Sequence, residues 1–240
     1  MKKYPYFFKL FSLFMFVAIP TLAHAQCNGN GLNERSTFKA TKIWPLHPKI
    51  KIEATATFQE GSSYSSPVDD TGLYDLYIKL SNSKTGKMIA ELCQKGALES
   101  DAISLKSISI DTAPYILSET MHAFGVRASY ENNSRTNFGS NITITLFGVS
   151  AGKLRQLLGT RVTGGRGYEV SLNEECQGTF SDSNSTIGIS PNQHNGLSDL
   201  LLTEVTNEGE FVQTSSDCVE KSSNRKVTNF ILRFSGIEYH

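Results

Sequence analysis

The chain has 240 residues, with 23 basic and 23 acidic side chains and a formal charge of zero. That balance excludes a polycationic nucleic-acid binder, and 39% hydrophobic with 10% aromatic residues excludes a disordered tail protein. The balance is also a cancellation between segments.

Residues 1–25 carry Lys2, Lys3 and Lys9 and no acid, run mostly apolar from Phe11 to Ile19, and close on Ala23-His24-Ala25. A basic start, a short apolar centre and a small-x-small exit predict a secretory signal peptide cleaved near Ala25. The apolar run is too short to span a bilayer, so no transmembrane segment is expected. The exported product, Gln26–His240, carries a charge of −3. A periplasmic or secreted location is expected. Gln26 stands where a lipobox would need a small residue before Cys27, which favours ordinary cleavage.

Period-two alternation dominates the exported segment. Ile50, Ile52, Ala54, Ala56 and Phe58 alternate with Lys51, Glu53, Thr55 and Thr57. Shorter strand candidates are Leu76–Leu80, Met88–Leu92 and Ile103–Ile110; Phe124–Tyr130 and Ile142–Leu146 alternate again. Tyr168–Leu172, Leu200–Val205 and Phe230–Phe234 complete the set. Alternate side chains of a strand face opposite sides, so this patterning predicts half-buried strands. Polar clusters at Gly61–Asp70 and Ser181–Asn195 read as loops, and Ala151–Leu158 is the one helix-like stretch. The expected fold is all-β, a sandwich or propeller-like arrangement of two related halves, 26–118 and 119–240.

The halves are related by an internal repeat, S-P-x4-G-L-x-D-L. It occurs as Ser66–Leu76 and again as Ser190–Leu200. Cys93 follows Asp75, and Cys218 follows Asp199, at nearly the same distance. Four cysteines in an exported chain predict two disulfides, with three possible pairings. The repeat register favours one per half, Cys27–Cys93 and Cys176–Cys218.

The segments Gly72-Leu73-Tyr74-Asp75-Leu76 and Gly196-Leu197-Ser198-Asp199-Leu200 resemble the end of FG-GAP and VCBS repeats. In those families an acidic, Gly-containing loop binds calcium and leads into a strand. The resemblance implies Asp69, Asp70 and Asp75 as calcium ligands, and a calcium-stabilised structural module as one reading of the chain. The residues read directly give Gly a turn role and Asp a loop-backbone role, with no cofactor. Ala123-Phe124-Gly125-Val126-Arg127, Gly196–Leu202 and Leu232–Tyr239 are together similar to exported bacterial β-rich proteins that have no assigned activity.

Gly148-Val149-Ser150-Ala151-Gly152 has the G-x-S-x-G form of a nucleophile elbow, with Asp182 and His194 as conceivable partners of Ser150. A serine hydrolase is therefore an alternative. The polar Thr143 and Thr145 and the absence of alternating strand–helix units oppose it. Gly164-Gly165-Arg166-Gly167 lacks the Lys of a phosphate-binding loop and reads as a flexible turn. No close His pair is evident.

Charge is segregated. Met121–Gly167 has a balance of +5, including Arg127, Arg155 and Arg161. Tyr168–Glu220 has no Lys or Arg and a balance of −10, including Glu204, Glu208 and Glu210. Such stretches either steer a partner of opposite sign or neutralise one another as adjacent strands. The leading expectation is a non-catalytic exported protein that binds an envelope protein, as an inhibitor or immunity-type partner would. Oligomeric state is open.

Overall fold

The computed structural model describes residues 37–59, 71–150, 152–170, 176–215 and 217–240. The expected signal peptide, Cys27, Asp69 and Asp70 lie outside them. The described residues form eleven strands and no helix. β1 (Thr37–Ile43), β2 (Ile50–Phe58), β3 (Gly72–Asn82) and β4 (Met88–Ser100) make a four-stranded antiparallel sheet in that order. β5 (Ser104–Ile116), β6 (His122–Glu131), β7 (Asn137–Ser150), β8 (Lys153–Val170), β9 (Gly178–His194), β10 (Leu197–Gln213) and β11 (Cys218–Leu232) make a seven-stranded meander. The change of sheet falls between Ser100 and Ser104, so β5 joins the second sheet.

Two cores result. The first holds the inward residues of the small sheet, Ile52, Ala54, Ala56, Tyr74, Leu76, Ile78 and Leu80. They pack on Ile108 and Ile110 of β5, on Phe124, Val126 and Ala128 of β6 and on Phe147 of β7. Trp44 is fully buried here, edge-on to Phe124 at 5.3 Å, and its indole N–H finds no acceptor. The second core takes Ala123, Ile144 and Leu146 from the same strands, with Leu157, Leu158, Leu200, Leu232, Phe234 and Tyr239. The chain end closes it: the Tyr239 backbone N–H donates to Leu157 at 2.7 Å, and its hydroxyl donates to the Ser198 carbonyl at 2.7 Å.

Three expectations are corrected. From Lys153 onward the helix-like stretch is strand β8. Leu154 faces the first core while Leu157 and Leu158 face the second, so burial on both faces produces apolar spacing that imitates a helix. The polar cluster Ser181–Asn195 is mostly strand β9, held by ladders to β8 and β10 that override the turn preference of Ser and Asn. Gly164–Gly167 lies inside β8, not in a turn.

Among the described residues there is one disulfide rather than two. Cys176 pairs with Cys218 as expected, with Cα atoms 5.3 Å apart, and ties the start of β9 to the start of β11. Closing a 42-residue separation limits the unfolded chain by about 4 kcal/mol in the entropic model. The expected pair Cys27–Cys93 has one member outside the described residues; Cys93 is not a free thiol.

Truncating Trp44 to Ala should cost about 3–5 kcal/mol in urea unfolding, by opening the first core. Trp44→Phe should cost far less, because it also removes the unsatisfied N–H. Similar losses in the two variants would show that the indole N–H has a partner.

Candidate functional site

Small residues clear a trough on one face of the large sheet. Directly opposed residues of antiparallel strands share a face. One row crosses Asn137, Glu169, Thr179, Glu210 and Lys221; the next crosses Gly139, Gly167, Ser181, Glu208 and Asn224; a third crosses Asn141, Gly165, Ser183, Thr206 and Lys226. Glycine in a strand interior leaves room for a ligand or another backbone to approach. A Cβ on Gly167 would meet only the Phe138 carbonyl oxygen, at 3.6 Å, whereas one on Gly165 would meet Asn141 and Ser140 at 2.9 Å.

Three hollows follow one another here. The first, about 490 Å³, is bounded by Asn137, Glu169, Thr179 and Glu208. The second, about 250 Å³, shares Gly167 and Ser181 with it. The third, about 370 Å³, shares Ile103 and Asn141 with the second and is walled by Glu99, Asp101, Tyr130 and Thr160. At about 3.3 Å per residue, the span from Thr160 to Glu169 is about 25–30 Å. Amides and hydroxyls line the middle and carboxylates stand at both ends.

The acidic stretch is met mainly by cations of β11 rather than by the basic stretch, from which, among the described residues, only Arg166 forms an ion pair with it. β11 brings Lys221 opposite Glu210, Lys226 opposite Thr206 and Arg225 opposite Asn207, and Glu204 faces Thr228 and Ser185. Arg166 pairs with Glu220 and lies over the Phe180 ring. Of the basic residues singled out, Arg127 is engaged internally. It bonds Asp111 at 2.6 and 2.8 Å and donates to Thr163 at 3.0 Å. Burial works against the Asp111 charge, but the Ala113 N–H and Arg127 hold its carboxyl below the usual range. Burial, then Asp111, pushes the neighbouring Tyr115 hydroxyl up to about 12. Arg155 lies over Phe234, 5.4 Å from the ring centre. Arg161 shares the Arg127 row through Ile144. The three arginines make no common patch with Glu204, Glu208 and Glu210, of which only Glu208 borders the trough.

Ser150 is the exposed end of β7, opposite Lys153 in a β-hairpin whose turn includes Gly152 at φ 72°. A strand, not a helix, comes after it, so the elbow geometry is absent. Asp182 accepts from Asn207 at 2.9 Å, and about 30 Å of ladder separates it from His194. His194 instead contacts the buried Asp199 at 2.7 Å, and among the described residues no hydrogen bond joins it to Ser150. Asp75 accepts from the Gly96 N–H at 2.9 Å and from Gln59, which is a loop-clamping role. Among the described residues no group of three His, Cys, Asp or Glu could hold a metal ion. No helix there is long and apolar enough to cross a membrane.

A histidine pair, not evident in the sequence, joins the two sheets. His47 Nε2 and His122 Nδ1 are 2.8 Å apart, so one ring donates to the other, and His47 also packs edge-on to Trp44 at 4.6 Å. The two rings are 75 positions apart in sequence, which is why spacing could not reveal them. Burial, and then the charge of His122, lowers the His47 pKa.

Comparison of the chain with protein-family models, curated proteins and solved structures yields no match.

Because the folded His47 value lies below the unfolded value of about 6.5, the unfolded chain takes up a proton that the folded chain refuses. Stability present above about pH 6.5 is therefore lost as the pH falls through the lower folded value. Thermal unfolding from pH 8 to pH 5 should show this decline, and His47→Gln should flatten it. An unchanged pH profile in that variant would remove the pair as the cause.

Proposed function

We propose that this is a non-catalytic exported protein that binds a partner in the cell envelope through the trough on β7–β10. The observation that carries this reading is the continuity of the three hollows along one face, with a middle lined mostly by Gly, Ser and Asn beside Ile103 and Arg166, and carboxylates at each end. Such a channel fits an extended segment of a partner, its polar groups bonding to Ser, Thr and Asn side chains and its cationic groups reaching Glu169 and Glu208 at one end and Glu99 and Asp101 at the other. An inhibitor or immunity-type protein acting on a cationic enzyme or toxin in the periplasm works in this way. A rigid sheet surface loses little entropy on binding, which favours affinity.

Gly167→Tyr tests the reading. A tyrosine fills the trough, and replacing a strand glycine by a good strand former should leave the melting temperature unchanged or higher. Capture of partners from envelope extract, identified by mass spectrometry, should be lost in Gly167→Tyr and weakened about tenfold in Glu169→Lys/Glu208→Lys. Retention of the same partners by Gly167→Tyr would reject the trough. An esterase screen should show no turnover that depends on Ser150; activity abolished by Ser150→Ala would overturn the non-catalytic assignment.

A further inference from the structure

The outer edge of β11 is a second, independent surface. Among the described residues β11 pairs with β10 alone, and from Cys218 to Ile231 every residue but Thr228 is exposed. An open strand edge offers a row of unpaired N–H and C=O groups, and natural proteins usually blunt it with charges or a bulge. The first part of β11 is blunted in this way, by Glu220, Lys221, Arg225 and Lys226 and by a register shift opposite Glu208 and Gly209. The last part, Val227-Thr228-Asn229-Phe230-Ile231, has no charge, no Pro and no Gly. Val227 is 49% exposed, Phe230 44% and Ile231 57%; Leu201, opposite Ile231 on β10, is 38% exposed.

We propose that a second copy of this chain pairs here, β11 to β11, antiparallel about a two-fold axis at Asn229. The sequence is complementary to itself in that register. Val227 meets Ile231, Thr228 meets Phe230, and Asn229 meets Asn229. With the β10 partners added, an apolar row Leu201–Ile231–Val227–Val205 runs unbroken from one copy into the other. Thr203 Oγ1 donates to Asn229 Oδ1 at 2.7 Å, which leaves the amide N–H groups of Asn229 to bond across the axis. Lys226 faces Leu232, and the ladder stops there, because the next residue, Arg233, is already paired with His240. A register with its axis at Arg225 would set that cation against itself, which disfavours it. The two chains make an isologous contact that extends the seven-stranded sheet across the dyad. One strand pair covers less surface than a standard interface, so the expected dissociation constant is micromolar.

Sedimentation of the exported protein over a range of micromolar concentrations should show reversible dimerisation. Ile231→Lys should weaken it by about tenfold or more with an unchanged melting temperature. In the antiparallel pair the two copies of residue 229 lie about 4.5–5.5 Å apart, within disulfide reach, whereas the two copies of residue 226 do not. Asn229→Cys should therefore form a covalent dimer on mild oxidation and Lys226→Cys should not. A monomer at all concentrations, a dimer indifferent to Ile231→Lys, or equal cross-linking of the two cysteine variants would each overturn the proposal.

Discussion

The centre of β6 and the second half of β7 are buried on both faces, and the rest of the molecule is arranged around that constraint. A strand with two dry faces needs a cover on each. The four-stranded sheet supplies one, over Phe124, Val126, Ala128 and Phe147. The ends of β8, β10 and β11 and the terminal residues Phe234 and Tyr239 supply the other, over Ala123, Ile144 and Leu146. Glycine makes the central packing possible: a Cβ on Gly125 would lie 2.6 Å from Ile144, and one on Gly148 would lie 2.4 Å from Leu157. Neither cover is redundant, because removing either one exposes an apolar face of the same two strands.

Beyond the covered region the large sheet continues without a partner on either side. That is where the trough and the open edge lie. The same meander thus provides a core at one end and working surface at the other. Polar and small residues suit the uncovered part: Ser181, Ser183, Gly165 and Gly167 present little apolar area to water. The disulfide between Cys176 and Cys218 closes this uncovered part, where the hydrophobic cores contribute least.

Much of the fold was legible in the sequence because half-buried strands leave a period-two trace. β2 coincides with the alternating run from Ile50 to Phe58. The trace fails where a strand has two like faces. In β8 both faces are apolar near Leu154–Leu158, and the pattern imitates a helix; in β9 both faces are largely polar, and the pattern imitates a loop. The charge segregation was visible, but its meaning depended on pairing. Only the register shows that Lys221 and Lys226 of β11 share a face with the acids of β10. The trough was hidden for the same reason. Its glycines and serines come from three strands, and no local motif announces that Gly139, Gly167 and Ser181 form one row. The histidine pair is likewise a product of sheet docking.

Trp44 has a further consequence. It is the only tryptophan in the chain, and it lies in the first core, packed on both His47 and Phe124. All indole fluorescence therefore originates at one buried point between the two sheets. Separation of the sheets would expose that ring to water and shift its emission, and an imidazolium at His47 would quench it, so the chain carries a built-in optical gauge of how its two layers are docked.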